Sequence, residues 1–324
     1  MAVKTTSDYI GLLNQAVSRE IQVSIQYMLQ HTKMEKLMRK VIAENVLLDK
    51  TTYDAVGKFL KEIAIEEMKH AADIMERIYL LGGSATTKAD KPVVGNSLSE
   101  FAKLGVAAEE EALELYRKII SASREVGDRT TRQLFQKIYK AEEDHLLKFQ
   151  EYVDFQDEPE SAEAAVSEWR KIFTGDYFAL LNKAVASEIS AILQYTNQHE
   201  KASLLGLRKK VSALEVVTES NKAKVISDLL KKTFLVEMEH LEKISERIYL
   251  LGGECTVVPD PIPQLGANPK DFIALDRQAE NTAIMLYRQI IAEALKRGDT
   301  TTRNMFEEII KQEEEHYWSF DDYQ

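Results

Sequence analysis

Four copies of one short motif, Glu-x-x-His, are the residues whose types and spacing most strongly indicate chemistry in this sequence. A step of three residues turns an α-helix by about 300°, so the carboxylate and the imidazole of one copy share a helix face. Helical bundles that hold two metal ions use two such motifs and one further glutamate from each of two other helices. The copies are Glu67–His70, Glu142–His145, Glu237–His240 and Glu313–His316. They predict metal binding inside helical bundles.

Single glutamates in apolar surroundings supply the remaining carboxylates. Glu20 and Glu188 lie among Ile, Val, Leu and Ala, and Glu109 and Glu280 each stand seven residues before a Tyr-Arg pair. Two sites follow, each with four carboxylates and two imidazoles. The first predicted site consists of Glu20, Glu67, His70, Glu109, Glu142 and His145, and the second of Glu188, Glu237, His240, Glu280, Glu313 and His316.

Charge decides which ligand such a site would take. Four carboxylates and two neutral imidazoles carry four negative charges, which two divalent cations cancel. Without metal, the carboxylates would repel one another in a bundle core and their pKa values would rise. Oxygen-rich ligands with imidazole suit iron or manganese. The alternative interpretation, solvated helix faces, fits the apolar neighbours of Glu20 and Glu188 poorly.

The elements that must position these residues occur twice. Residues 8–17 are echoed by residues 176–185, and the segment ERIYLLGG at 76–83 recurs unchanged at 246–253. A period of about half the chain is far longer than the repeats of solenoid proteins, so it indicates duplicated domains. Apolar residues recur at three- and four-residue spacing, with only 6 prolines and 13 glycines, which is typical of long helices. The sequence predicts an all-α fold of two tandem four-helix bundles.

Residues that stop or cap a helix mark the expected helix ends. Gly82 and Gly252 are predicted stops of the second helices, and Asp128 and Asp299 are predicted caps of the fourth helices. We expect helices near 8–36, 52–81, 97–126 and 129–152, and in the second half near 176–202, 221–251, 270–297 and 300–322. The expected domains are residues 1–156 and 176–324, joined by a linker at 157–175 that could form a short helix.

Composition excludes several classes of protein. The net charge of −11 disfavours nucleic acid as a partner, because phosphates need a basic protein surface. The single cysteine, Cys255, excludes a disulfide within the chain and any cysteine-rich zinc or iron–sulfur site. A single cysteine also suits a reducing compartment, and we find no signal segment and no apolar stretch long enough to cross a membrane. These features predict a cytoplasmic protein.

The motifs resemble those of bacterioferritins, within the ferritin-like di-iron superfamily. The run 67–71 that leads to Glu76-Arg77-Ile78 is similar to their second-helix signature, and Gln26-Tyr27 and Gln194-Tyr195 are similar to their first-helix signature. The resemblance covers nearly all of both halves and implies two ferritin-like bundles with two iron ions each, four per chain, with manganese as the alternative. It also implies oxidation of Fe(II) by dioxygen or hydrogen peroxide. The residues implied to bridge two ions are Glu67, Glu142, Glu237 and Glu313.

Two further pairs of residues are candidates for a role. Tyr27 and Tyr195, at equivalent places in the two halves, are the catalytic candidates because they could hydrogen-bond a ligand or donate electrons, as could Tyr116 and Tyr287; core packing is the alternative. Met68 and Met238 each follow a second-helix glutamate, and in bacterioferritins the residue at this place ligates a haem. The resemblance therefore implies haem b as a cofactor, and methionine packing at a seam between the halves is the alternative.

Three features differ from the bacterioferritin pattern and bear on function. The chain is a tandem fusion, its first- and second-helix ligands are far apart, and we expect no short fifth helix in its second half. These differences argue against a hollow storage cage, but a smaller homo-oligomer is compatible with them. The leading hypothesis is a ferroxidase that acts in iron handling and oxidative-stress protection. The alternatives are a rubrerythrin-like peroxide scavenger, which would need an external electron-donor protein, and an iron-binding protein without turnover.

The residues around the two predicted sites are not the same. Glu66 corresponds to Val236 in the second half, and Gly105 corresponds to Asp276. Groups that orient a ligating histidine also tune the metal that it binds. We therefore predict that the two sites differ in metal affinity or in oxidation rate.

Overall fold

Helices form all the regular secondary structure in the residues that the computed structural model describes, which are 6–43, 47–155, 173–208 and 215–323. The first half contains α1 (Ser7–Ala43), α2 (Leu47–Leu80), α3 (Leu98–Glu125) and α4 (Arg129–Gln150). The second half contains α5 (Gly175–Arg208), α6 (Glu215–Leu251), α7 (Pro269–Arg297) and α8 (Thr300–Asp321). The predicted all-α fold of two tandem four-helix bundles is confirmed.

Each half is a separate packing unit, Met1–Ser161 or Ala162–Gln324. Within the first unit α1 packs along α2 and α3 packs along α4, and further contacts join α1 to α3 and α2 to α4. The second unit repeats this pattern with α5 to α8. In such a bundle each helix buries an apolar stripe, and this burial supplies most of the stability of the helices.

The first two helices of each half are longer than the sequence predicted. Helix α1 continues to Ala43 rather than residue 36, and α2 begins at Leu47 rather than residue 52. Helix α5 likewise continues to Arg208, and α6 begins at Glu215. The segment 37–51 contains neither glycine nor proline, so it offers no strong helix stop. Most of the long separation between the first- and second-helix ligands is therefore helical.

The predicted helix stops and caps are confirmed. Gly82 and Gly252 have φ angles of 85° and 95°, a left-handed conformation that glycine adopts at little cost. In both places the N–H of the following residue bonds at 2.9 Å to a carbonyl of the last helical turn. Asp128 and Asp299 accept the N–H of the third residue that follows and so cap α4 and α8. These ends fix the position of the motif-bearing helices along each bundle.

The linker prediction is not tested by the structure. Most of 157–175, including its expected short helix, lies outside the described residues, so the limits of the two domains stay predictions. None of the described helices combines the length and the apolar character that crossing a membrane requires. The cytoplasmic location also stays a prediction.

Candidate metal centres

Every helix turns one glutamate of the predicted sites into the interior of its own half. Glu20 and Glu109 are 1% exposed, and their counterparts Glu188 and Glu280 are 2% exposed. Helices α2, α4, α6 and α8 add a histidine three residues after their glutamate. These motif side chains are also buried or nearly so, namely Glu67, His70, Glu142, His145, Glu237, His240, Glu313 and His316. The structure therefore brings all twelve predicted residues into two interiors.

The six residues of the first half meet as two overlapping groups. The groups are Glu20, Glu67, His70 and Glu142, and Glu67, Glu109, Glu142 and His145. Within each group four potential ligand atoms lie within 4.8 Å of one another. Glu67 and Glu142 belong to both groups, so they stand between two neighbouring candidate positions for a cation. They are the pair that the family resemblance implied to be bridging.

Each imidazole of the first half turns its Nδ1 atom toward both shared carboxylates. His70 Nδ1 lies 2.9 Å from Glu67 Oε2 and 3.2 Å from Glu142 Oε1. His145 Nδ1 lies 3.0 Å from Glu142 Oε2 and also 3.0 Å from Glu67 Oε1. The centroids of the two rings are 6.5 Å apart. The arrangement is nearly symmetric about the two shared glutamates.

The second half repeats this geometry. Its groups are Glu188, Glu237, His240 and Glu313, and Glu237, Glu280, Glu313 and His316. His240 Nδ1 lies 2.8 Å from Glu237 Oε2 and 3.1 Å from Glu313 Oε1. His316 Nδ1 lies 3.1 Å from an oxygen of each of these two glutamates. The ring centroids are 6.1 Å apart, so the ligand atoms of the two halves are matched closely.

Buried carboxylate oxygens without a hydrogen bond occur at the candidate site of each half. A protonated Nδ1 atom has one proton, so a hydrogen bond to the glutamate of its own motif leaves none for the glutamate of the other motif. Among the twelve predicted ligands, the oxygens without a hydrogen bond are Glu20 Oε2 and the Oε1 atoms of Glu67, Glu142 and Glu237. Burying such an atom is costly. Cations held between the carboxylates would remove this cost, so the donor set fits divalent metal ions.

Burial, reinforced by neighbouring carboxylates, raises the pKa of the glutamates that belong to only one group. Glu20 and Glu109 lie beside the charges of the two shared glutamates, and these charges favour the protonated form. The same two causes raise the pKa of Glu188 and Glu280. All four carboxylates of one core can therefore be charged together only when cations accompany them.

Protonated imidazoles balance the shared glutamates. Burial by itself would lower the pKa of a histidine, but contacts with Glu142 and Glu67 raise the pKa of His145 to about 11. The shared glutamates of the second half raise the pKa of His316 to about 9. A ligating imidazole must be neutral, so divalent ions would take the place of these protons.

Four buried tyrosines hold the glutamates that are not shared. The donor–acceptor pairs are Tyr27–Glu109, Tyr116–Glu20, Tyr195–Glu280 and Tyr287–Glu188. Burial raises the pKa of all four hydroxyls, so they remain donors. The catalytic candidates Tyr27 and Tyr195 thus contact predicted ligands, while electron donation by them stays a prediction. Tyr116 and Tyr287 make equivalent contacts, and their fixed spacing after the third-helix glutamates was the signal for them.

In the first half a partly exposed carboxylate stands behind both histidines. Glu66 Oε2 is 3.5 Å from His145 Nε2, and Glu66 Oε1 is 3.9 Å from His70 Nε2. The Glu66 side chain is 49% exposed, so it keeps contact with water. Negative charge near Nε2 makes the opposite ring nitrogen a stronger ligand. Both imidazoles of the first half receive this influence.

In the second half an amide takes the corresponding role at one histidine. Val236 stands in the place of Glu66, and Gln312 Oε1 lies 3.0 Å from His240 Nε2. The first half has Ala141 at the position of Gln312. Sequence reasoning found the valine and missed the glutamine, although a polar residue just before a motif glutamate was a usable signal. The histidines of the two halves therefore differ in the charge of their neighbours.

The other predicted difference lies one turn before the third-helix ligand. In α3 a Cβ at Gly105 would come within 2.5 Å of the Phe149 ring, so glycine leaves room for that ring. In α7 the same position holds Asp276, which is fully buried and accepts Gln194 Nε2 at 2.8 Å. Burial raises the pKa of Asp276, whose Oδ2 has no hydrogen bond in the part of the chain described. Only the second site has a buried carboxyl group at this position.

The two methionines predicted to bind haem are buried in the structure. Met68 is 1% exposed and Met238 is 4% exposed. Burial suits a haem ligand and simple packing equally. Haem b therefore stays a prediction.

Comparisons with known proteins agree with the duplicated arrangement. The ferritin-like domain family matches residues 10–156 and 202–324. A bacterioferritin of Desulfovibrio desulfuricans is 32% identical over 142 residues, which are 44% of this chain and 72% of the relative. A bacterioferritin of Rhodobacter capsulatus is 29% identical over 137 residues, 42% of this chain and 74% of the relative.

A solved structure also matches part of the chain. It is the D. desulfuricans bacterioferritin, described with its diiron site in different catalytic states, and it is 29% identical with a TM-score of 0.40. The match covers 45% of this chain and 78% of that chain.

Proposed function

This chain belongs to the ferritin-like family as a bacterioferritin-like tandem duplication, and from that premise we propose that it is a ferroxidase with one di-iron centre in each half. Its family and its carboxylate groups support an iron-binding function of the ferritin type. In the finer proposal, each centre oxidises Fe(II) with dioxygen or hydrogen peroxide, in iron handling and oxidative-stress protection. The duplicated set of six buried residues, with carboxylate oxygens that find no proton donor, carries this proposal.

The overlapping groups assign the residues that would hold the metal. In the first half Glu20 and His70 would hold one ion, Glu109 and His145 the other, and Glu67 and Glu142 both. In the second half the assignments are Glu188 with His240, Glu280 with His316, and Glu237 and Glu313 for both ions. Manganese accepts similar ligands, so the ligand types alone do not select iron. We prefer iron because of the family to which the chain belongs.

Bound iron supplies the electrons that dioxygen or peroxide takes up. The protein residues keep the site in a form that can bind two cations. The tyrosine hydroxyls hold the unshared carboxylates in place. The shared glutamates keep both imidazole Nδ1 atoms pointed at the cation positions. Such preorganisation lowers the cost of binding and of the charge changes that oxidation brings.

Anaerobic titration with Fe(II), followed by stopped-flow mixing with dioxygen or with hydrogen peroxide, tests the proposal. We expect four Fe(II) per chain and an optical transient with dioxygen. The variant carrying Glu67→Ala and Glu237→Ala should lose most of both signals, because each substitution removes a ligand shared by two ions. Glu110→Ala is the matched control, since Glu110 is exposed on the same helix as Glu109. It should behave as the unchanged protein.

The same experiment separates the competing functions. A reaction of the Fe(II)-loaded protein that is much faster with peroxide than with dioxygen would favour a peroxide scavenger. In that case turnover should continue only when an electron-donor protein is added. Binding of iron without a transient from either oxidant would favour an iron-binding protein without turnover. Failure to bind about four equivalents per chain would contradict the di-iron assignment itself.

Haem b is a separate cofactor proposal. Thioether sulphur is a haem ligand, and Met68 and Met238 are the buried candidates for it. The visible spectrum of the purified protein should show a haem band that Met68→Leu and Met238→Leu both weaken. A spectrum without that band after expression with ample haem would leave packing as their role.

A further inference from the structure

A cavity of about 280 Å³ lies beside the candidate metal centre of the second half, between α5 and α7. Its floor consists of buried site residues, namely Glu188, Tyr195, Glu237, Glu280, Tyr287 and Glu313. Its rim includes Gln264, Gln278 and Thr282, which are exposed. The cavity therefore leads from solvent to the carboxylates of the second site.

The lining of this cavity suits a cation. Among the described residues that line it there is no lysine, arginine or histidine, and its floor carries several carboxylates. One of them, Glu237, is 1% exposed and has an Oε1 atom without a hydrogen bond. Nearer the rim, hydroxyl and amide groups such as Ser187, Thr282 and Gln278 offer oxygen atoms to a hydrated ion. A cleft lined by one sign of charge raises the local concentration of the opposite ion.

In the first half two residues that differ from their counterparts in the second half form an ion pair at the equivalent position between α1 and α3. Arg19 corresponds to Ser187, and Glu111 corresponds to Thr282. Arg19 Nη1 lies 2.9 Å from Glu111 Oε2, and Arg19 Nη2 donates to the carbonyl oxygen of Ala108. The Arg19 side chain is 12% exposed, while that of Glu111 is 72% exposed. The guanidinium thus lies against the protein and ties α1 to α3 beside the first candidate site.

We propose that the α5–α7 cavity is an uptake site for hydrated divalent cations that serves the second half alone, and that Arg19 and Glu111 close the equivalent route in the first half. The proposal rests on the proposed function in one respect, that both sites bind metal ions. A fixed guanidinium blocks the path and repels a cation, whereas the serine and threonine of the second half do neither. Metal ions should therefore reach the second site faster than the first.

Reciprocal exchange of the two residue pairs tests this proposal through binding rates rather than through oxidation. Glu237→Ala leaves only the first site intact, and Glu67→Ala leaves only the second. Stopped-flow absorption then follows Co(II) binding to the metal-free protein. In the first background, Arg19→Ser with Glu111→Thr should speed binding about tenfold, as removal of an electrostatic barrier does. In the second background, Ser187→Arg with Thr282→Glu should slow binding by a similar factor.

Three further variants keep the test decisive if the buried exchange disturbs folding. Gln278→Lys adds a positive charge at the exposed rim of the cavity and should slow Co(II) binding to the second site. The matched change in the first half, Ala107→Lys, is also at an exposed position and should leave the rate of the first site unchanged. Arg19→Lys with Glu111→Asp preserves both charges and should keep the first site slow.

The outcomes distinguish the two proposals. Two Co(II) per chain in each background, with rates that no substitution changes, would overturn the uptake route and leave the di-metal sites standing. Absence of Co(II) binding in both backgrounds would instead contradict the proposed function. Equal starting rates in the two backgrounds would also contradict the uptake proposal, because the first half would then be no less open than the second.

Discussion

The first and second halves arrange the same ligand types at nearly the same distances, yet the residues behind those ligands differ in charge. His145 and His70 face the Glu66 carboxylate on their outer side, whereas His240 faces the Gln312 amide. Asp276 is a buried carboxyl group near the second site, where the first half has Gly105. The halves therefore share the groups that would touch metal and differ in the groups that tune them.

This comparison shows which parts of the molecule physical chemistry constrains most. Removing one of the predicted ligands leaves a charged or polar group without its partner in a closed core. A residue behind a ligand tolerates substitution better, because it is partly exposed, as Glu66 is, or finds another partner, as Asp276 finds Gln194. Two sites with one geometry can in this way acquire different affinities and rates.

The largest expected effect comes from removing one site at a time. Glu67→Ala and Glu237→Ala should each remove about two of four Fe(II) equivalents, because each glutamate belongs to both groups of its half. The remaining site should differ between the two variants by about tenfold in affinity, a size typical of changed neighbours of metal ligands. Anaerobic titration of both variants measures this difference. Identical binding curves would mean that the surroundings of the two sites have no consequence.

An exchange of the residues behind the histidines should account for most of that difference. We expect the first site to bind more tightly, because a carboxylate behind an imidazole strengthens it more than an amide does. In the first half Glu66→Val with Ala141→Gln should weaken binding about tenfold, and in the second half Val236→Glu with Gln312→Ala should strengthen it by a similar factor. The same titration in the single-site backgrounds measures both. Glu62→Gln, at an exposed position of α2, is the control.

Asp276 should lower the stability of the second half at neutral and alkaline pH. Burial raises its pKa above the ordinary value of 3.8. The folded state therefore holds this proton more tightly than the unfolded state, and stability falls as pH rises from about 4 through the folded pKa. Asp276→Asn should stabilise the second half by about 2 kcal/mol at pH 8, because the amide carries no charge that burial would strip of water at that pH. At pH 4 the gain should nearly vanish.

Calorimetry of the metal-free protein at the two pH values measures this effect. The control is Asp228→Asn, which changes an exposed aspartate of α6 and should leave stability almost unchanged at both pH values. A gain from Asp276→Asn that is equal at pH 4 and pH 8 would show that the charge of Asp276 is not its cause.

The meeting of the twelve predicted residues could be anticipated because it depends on helix geometry and repetition alone. A Glu-x-x-His motif places two side chains on one helix face whatever the neighbouring helix contains. The stops at Gly82 and Gly252 and the caps at Asp128 and Asp299 are local signals of the same kind. Such features need no knowledge of which side chains meet across the bundle.

The features that sequence reasoning missed depend on contacts between helices. The reach of Arg19 from α1 to Glu111 on α3 and the reach of Gln312 from α8 to His240 on α6 depend on how the helices pack. The continuation of α1 to Ala43 was missed for a different reason, since no glycine or proline marks an earlier stop. Differences between equivalent positions of the two halves were the one available guide to these contacts.

The smallest difference between the halves is expected at the caps of α4 and α8. Asp128 accepts Arg77 Nη2 at 2.7 Å and the Thr131 N–H, and Asp299 accepts Arg247 Nη2 at 2.7 Å and the Thr302 N–H. Burial opposes charge at both aspartates, but hydrogen bonds from the hydroxyl and the N–H of the threonine, together with the arginine, outweigh it and lower the pKa of each below 3.8. Each charged aspartate therefore stabilises its half above about pH 4, and this contribution is lost as pH falls through the folded pKa.

Asp128→Asn and Asp299→Asn should each cost about 2 kcal/mol at pH 7, since each weakens a cap and a charged hydrogen bond. The two costs should differ by less than about 0.5 kcal/mol, which is the margin within which the free-energy effects of separate mutations usually add. Both should shrink at pH 3, which calorimetry of the metal-free protein can follow. One local difference is Ser123, which lies 2.8 Å from the Tyr9 hydroxyl where the second half has Ala294. If the costs differ by more than 1 kcal/mol and Ser123→Ala makes them equal, divergence of the halves has reached their helix ends as well as their sites.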